Sequence, residues 1–139
     1  MDRLLTIFSL SILAAVAFGD APRTPSPPGA AVYFISPADG AVVTSPVTVR
    51  FGLRGMGVAP AGIDSPNTGH HHLLIDADVP DMSLPLPANE HVLHFGKGQT
   101  EADVPLPASK HTLQLVLGNQ LHVPHDPPVL SQKITITVK

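Results

Sequence analysis

The chain has 139 residues with 16 Pro, 11 Gly, eight His and no Cys, a formal charge of −3 and only 14% charged side chains. Without Cys there is no disulfide framework, no thiolate metal site and no thiol nucleophile. Without clustered cations there is no nucleic-acid binder, which must displace counterions from phosphates.

Residues 1–19, MDRLLTIFSLSILAAVAFG, place one cation at Arg3 before an apolar run from Leu4 to Phe18. With small residues at Ala17 and Gly19, this is the layout of a secretory signal peptide. The run is shorter than the roughly 20 residues that span a bilayer, and no cationic stop-transfer cluster follows. The expectation is therefore export to the periplasm or medium, with membrane contact only through an uncleaved leader. Residues 20–30, DAPRTPSPPGA, carry four Pro and no apolar period, and read as a linker.

From Ala31 the pattern changes to that of a single β domain over residues 31–139. Ala31 to Ile35 is rich in β-branched and aromatic residues, Ser36 to Gly40 is a turn, and Ala41 to Val43 resumes extended chain. Val47, Val49, Phe51 and Leu53 alternate with polar or small residues, the period of a half-buried strand. Gly55 to Gly69 is a long Gly-rich loop, of the kind that is usually functional in a compact domain. It runs into a strand at His70 to Asp76.

Ala77 to Glu90 is loop, His91 to Phe95 a short strand and Gly96 to Gly98 a turn. His111 to Leu117 alternates again, and Lys133 to Val138 closes the chain with Ile134, Ile136 and Val138 on one face. Pro or Gly interrupts every helical window of the mature chain. The expected fold is all-β, an immunoglobulin-like antiparallel sandwich of roughly seven short strands, with a small β-barrel as the alternative.

Histidines fall in three groups: His70-His71-His72, His91 with His94, and His122 with His125, with His111 alone at a strand start. Imidazole is the common ligand of borderline metals such as copper, zinc and nickel. On an extended strand alternate residues share a face, so if Leu73 and Ile75 face the core, His70 and His72 form an outward pair. Met56 adds a thioether that would bias a site toward copper over zinc. The expected ligands are His72, His94, His122 and His125, with His70, His111 and Met56 in reserve. Asp76, Glu101 and Asp126 are the carboxylates that would orient them.

The competing reading for each histidine is structural, a ring that hydrogen-bonds a backbone carbonyl. Catalysis needs parts that are missing: there is no Gly-x-Ser-x-Gly elbow and no His-Glu-x-x-His.

The runs FISPADGAVVTSPVTVRFGLRGMGVAPAG, TGHHHLLID, HFGKGQTE, HTLQLVLGNQLHVPHDPPVLS and KITITV resemble a family of small exported bacterial proteins classed as a domain of unknown function. The resemblance runs from about Val32 to Val138 and implies a periplasmic or secreted β-rich domain with no settled activity. Its motifs contain His71, His72, His94, His111, His122 and His125, together with Thr68, Gly69, Asp76, Gln99, Thr100 and Glu101. Asn119 and Gln120 stand where acidic or His-containing variants are usual in the family.

The functional expectation is a polar site at one end of the sandwich, formed by the Gly-rich loop and histidine-bearing strand ends, that takes a copper-like ion or other small ligand. Zinc, or no metal at all, is the alternative for the cofactor. A non-catalytic envelope interaction module with a structural histidine network and a metal-dependent enzyme are the other functional readings.

Overall fold

The computed structural model describes residues 23–139, so the expected leader at residues 1–19 lies outside the described residues. Nine strands follow in chain order among them: β1 (Ala31–Ser36), β2 (Val42–Val43), β3 (Val47–Arg54), β4 (Gly57–Val58), β5 (Thr68–Ile75), β6 (Val92–His94), β7 (Glu101–Val104), β8 (Ser109–Gly118) and β9 (Ile134–Val138). None of the described residues is helical, and no helix among them is long and apolar enough to cross a membrane.

The strands form two open sheets, one ordered β1-β3-β7 and the other β2-β9-β8-β5-β4, with β6 also on β5. The result is an all-β sandwich. Antiparallel pairing dominates, with short parallel pairs only at β2 with β9 and β4 with β5. Open edges exclude the small barrel.

Each long strand obeys the alternation in its sequence. On β3, Val47, Val49 and Phe51 are buried while Thr48 and Arg50 are exposed. Opposite them, β5 contributes Leu73 and Ile75, and β8 contributes Leu113, Leu115 and Leu117. These residues with Ile134, Ile136 and Val138 of β9 make the main core between the sheets. Removing such apolar area from water supplies about 25 cal/mol per Å² and is the main driving force for the fold.

Two of the nine strands carry no strand signal in the sequence, β7 in a stretch without a period and β4 within the Gly-rich loop. β7 pairs Val104 with Val47 and Ala102 with Val49, but its sequence EADV offers only two apolar residues, too few to show a period. β4 is two residues long within the Gly-rich loop, paired through Gly57 with Thr68. Residues 23–30, the described part of the Pro-rich segment expected to be a linker, are tied to the sandwich: Pro25 bridges Asp126, and Ala30 packs against the core.

The larger sheet is covered on its other face as well. Leu74, Val116 and Val92 point away from the main core and meet Leu86 in a second cluster, flanked by Val79, Met82 and Leu130. The segment between β5 and β6 thus folds back as a roof over the sheet. The histidine site lies under this roof.

Within the main core sits one anomaly, His71. It is fully buried, its ring centroid lies 5.1 Å from that of Phe51, and neither nitrogen has a hydrogen-bond partner. Burial holds its pKa down to about 4, so the ring is neutral. A buried polar group without a partner costs about 1–3 kcal/mol. Replacing His71→Leu is therefore expected to raise the unfolding free energy in urea by about 1 kcal/mol, and a loss instead would mean that the imidazole is paired.

Candidate metal centre

The two-residue period of β5 sends His70 and His72 to the outer face of the large sheet, opposite to His71. In the β5/β8 register, His70 faces Gly118 and His72 faces Val116. On the other edge of β5, His72 is directly opposite His94 of β6. One strand edge and one two-residue spacing thus place three imidazoles side by side. Their rings pack closely, with centroids 4.5 Å apart for His70 and His72 and 4.3 Å for His72 and His94.

The fourth ring comes from the loop after β8. His122 has φ of 64°, a left-handed conformation that costs a non-glycine residue roughly 1–2 kcal/mol. Asn119 enforces it: its Oδ1 accepts from the backbone N–H of Leu121 and of Val123, and its carbonyl accepts from His122 N–H at 2.9 Å. The roof adds a further tie, since Leu86 N–H donates to the His122 carbonyl at 2.9 Å. The loop therefore turns the His122 ring onto the sheet.

Three nitrogens converge on His122 Nδ1. His70 Nε2 lies 2.9 Å from it, His94 Nδ1 3.1 Å and His72 Nε2 3.3 Å. A ring nitrogen has a single in-plane position, filled by a proton or a lone pair, so His122 Nδ1 can satisfy only one of these neighbours. A cation shared among them satisfies all. Bonds of about 2.0 Å in a tetrahedral site put neighbouring nitrogens about 3.3 Å apart, close to the separations seen. His70, His72 and His122, with ligand atoms all within 4.8 Å of one another, form a group that can hold a metal ion.

Protonation favours the same outcome. His94 Nε2 donates to the Pro87 carbonyl at 2.8 Å, while its Nδ1 faces His122 Nδ1. A ligand imidazole fixed by a carbonyl on its far nitrogen is the usual arrangement around metals. His70 and His72 are almost wholly buried, and burial followed by the neighbouring imidazoles lowers their pKa to about 4 and about 2. His122 is lowered by burial and by His94. Neither His70 Nδ1 nor His72 Nδ1 has a hydrogen-bond partner, and the Val116 backbone opposes the His72 shift without outweighing burial.

Clearance for the cluster comes from Gly118. A Cβ there would lie 2.5 Å from His72 Cε1, so any side chain would displace the ring. Gly118 ends a strand whose other residues all carry side chains, and its φ is ordinary; its role is space.

The remaining expected residues lie elsewhere. His125 is fully buried, with Nε2 donating to the Thr68 carbonyl at 3.2 Å and Nδ1 3.5 Å from the Leu117 carbonyl. His111 donates from Nδ1 to Asp76 at 2.6 Å and from Nε2 to the Pro107 carbonyl at 2.8 Å. Two acceptors on one ring require the imidazolium. Burial opposes the charge, but the Asp76 carboxylate and the carbonyl outweigh it, so the His111 pKa is raised. Met56 packs against the main core, on the far side of the sheet from the cluster.

Glu101 pairs with Arg50 across the smaller sheet at 3.4 Å, and Asp126 lies 3.7 Å from Arg23. The orienting groups of the cluster are a carbonyl and an amide, from Pro87 and Asn119, rather than these carboxylates. Backbone acceptors carry no sequence signal, whereas an Asn opening a short loop is a recognised turn former. The cluster sits on the outer face of the larger sheet beneath loops, where strands finish: His70 is opposite Gly118, the last residue of β8, and His94 is the last residue of β6.

The family described as a domain of unknown function (DUF4399) matches residues 49–139. The chain belongs to this family. A comparison with curated proteins finds no match. Among solved structures, the endo-beta-1,4-mannanase from Thermotoga petrophila is similar to this DUF4399 chain at 19% identity and a TM-score of 0.48, over 79% of this chain and 20% of that one. The chain thus spans about a fifth of that enzyme's length. The DUF4399 match takes in His70, His72, His94 and His122, together with the Asn119 loop.

The lowered pKa values predict an acid-sensitive fold. Between pH 6.5 and about 4 the unfolded chain binds protons that His70 and His72 refuse in the folded state, so stability falls as pH drops through this window. The raised His111 pKa acts in the opposite sense, contributing stability below 6.5 that is lost as pH rises through the folded value. Urea unfolding at a series of pH values should show the acid decline, and His72→Leu should flatten it. An unchanged slope in that variant would exclude His72 as a source.

Proposed function

We propose that this protein is an exported metal-binding domain that holds a copper-like transition-metal ion on His70, His72 and His122, with His94 as a fourth imidazole. The convergence of three ring nitrogens on His122 Nδ1 at 2.9–3.3 Å carries this reading. An all-imidazole set suits copper, zinc and nickel, and the absence of Cys from the chain removes the His₂Cys type of copper centre. Export rests on the leader-like residues 1–19.

A structural network of histidines is the reading that competes with it, and it accounts for a different set. His91 donates from Nδ1 to the Ile75 carbonyl, His111 bonds Asp76 and Pro107, and His125 bonds Thr68. Each of these rings has backbone or carboxylate acceptors of its own. His70, His72, His94 and His122 chiefly face one another, with only the His94 ring hydrogen-bonded to a backbone carbonyl. That difference in partners supports reading the clustered histidines as ligands.

Thermal unfolding of the purified chain, free of any His tag, tests the proposal against added copper, zinc and nickel. A specific site stabilises the folded state by about 2.7 kcal/mol at a free-metal concentration a hundredfold above Kd. His72→Ala and His122→Ala are expected to abolish the stabilisation, whereas Met56→Leu leaves it unchanged. If none of the three metals raises the midpoint of the wild-type chain, the metal reading is wrong.

A further inference from the structure

His122 is the ligand on which the cluster closes, and the loop that carries it is held from outside by the segment Arg23–Ser26. The Arg23 guanidinium reaches the far side of that loop, donating from Nη2 to the His125 carbonyl and from Nε to the Pro124 carbonyl at 3.3 Å. Its Nη1 lies 3.7 Å from Asp126 Oδ1. The backbone adds a two-way tie: Asp126 N–H donates to the Thr24 carbonyl at 3.0 Å, and Ser26 N–H donates to the Asp126 carbonyl at 3.1 Å. Ser26 Oγ donates to the Pro127 carbonyl at 2.6 Å.

The same strap grips the near side of the loop. Asn119 Nδ2 donates to Thr24 Oγ1 at 3.1 Å, while Asn119 Oδ1 holds the turn that forces His122 into its left-handed conformation. Both flanks of residues 119–127 are therefore anchored to four consecutive residues nearly a hundred positions earlier in the chain. None of these contacts buries a large apolar side chain. A strained loop residue persists only where its surroundings over-determine it, and the strap acts on His122 through Asn119 on one side and residues 124–127 on the other.

We propose that the Arg23–Ser26 strap is the positioning element of the metal site, and that Arg23 is the residue that keeps His122 within ligating distance of His70, His72 and His94. The consequence for affinity rests on the metal-binding reading above. The forked guanidinium matters because it reaches two successive carbonyls at once, which a lysine ammonium on a flexible stem does not reproduce. Groups that orient a ligand from behind typically contribute 10–100-fold to metal affinity.

The test compares the full chain with Arg23→Ala, Arg23→Lys and, as a milder cut of the same strap, Thr24→Val. In the metal-free protein, long-range ¹H–¹⁵N correlation spectra report the imidazole nitrogens directly. Arg23→Ala should move the His122 nitrogen signals and leave those of His111 in place. Titration with Co²⁺, whose visible bands report ligand number and geometry, should then show affinity reduced about 10-fold or more and an altered band pattern. Arg23→Lys should recover only part of the loss, and Thr24→Val should shift both readouts in the same direction to a smaller extent.

Unmoved His122 signals in folded Arg23→Ala overturn the strap. So does a lower melting temperature accompanied by wild-type cobalt affinity and spectrum, the behaviour of a purely structural clamp. Failure of the wild-type chain to bind Co²⁺, copper, zinc or nickel overturns the metal reading instead, and the metal-free spectra still decide whether Arg23 sets the position of His122.

Discussion

The two-residue period of β5, locked in register with β8, is the constraint on which both the fold and the candidate site depend. Leu73 opposite Leu115 and Ile75 opposite Leu113 commit one face of the strand to the main core. The same register commits His70 and His72 to the opposite face, because a shift by one residue would exchange every side chain between core and roof. Packing of the core thus fixes two imidazoles about as firmly as it fixes the leucines. His71, on the core side of the triple histidine, is the residue for which this arrangement leaves no polar partner.

Around that fixed pair the rest of the cluster is assembled in order of decreasing rigidity. His94 is set by strand pairing to His72 and by the Pro87 carbonyl, so its free nitrogen has a defined direction. His122 is set only by loop hydrogen bonds, through Asn119, the Leu86 amide and the strap at Arg23–Ser26. On the metal-binding reading proposed above, the strand-borne half would define where an ion sits and the loop-borne half would complete its coordination. The roof over Leu74, Val92 and Val116 keeps the rigid half dry, which is why His70 and His72 hold no charge near neutral pH.

The histidines also illustrate how one side chain serves two purposes in the same small domain. His111 is held as a cation between a carboxylate and a carbonyl, and His125 is buried against two carbonyls. Both act as polar braces at strand ends. The clustered rings share almost no such acceptors, and their mutual crowding is costly unless something cationic lies among them.

Several features of this chain were legible in its residues alone. The strict alternation of Val47 to Leu53 and of His111 to Leu117 gives strands with a known inner face, Pro and Gly remove helices, and the spacing of His70 and His72 makes them an outward pair once Leu73 and Ile75 face the core. The motifs around TGHHHLLID and HVPHDPPVLS indicated the family. Periodicity is local, so it survives without tertiary information. What only the tertiary structure decided is which distant segments meet. The antiparallel partner of β5 at His94, the left-handed turn that aims His122, the strap from Arg23, and the departure of His125, His111 and Met56 to other surroundings all depend on register and loop closure across many residues. Those contacts run through backbone amides and carbonyls, which every residue possesses and which therefore leave no mark in the order of the side chains.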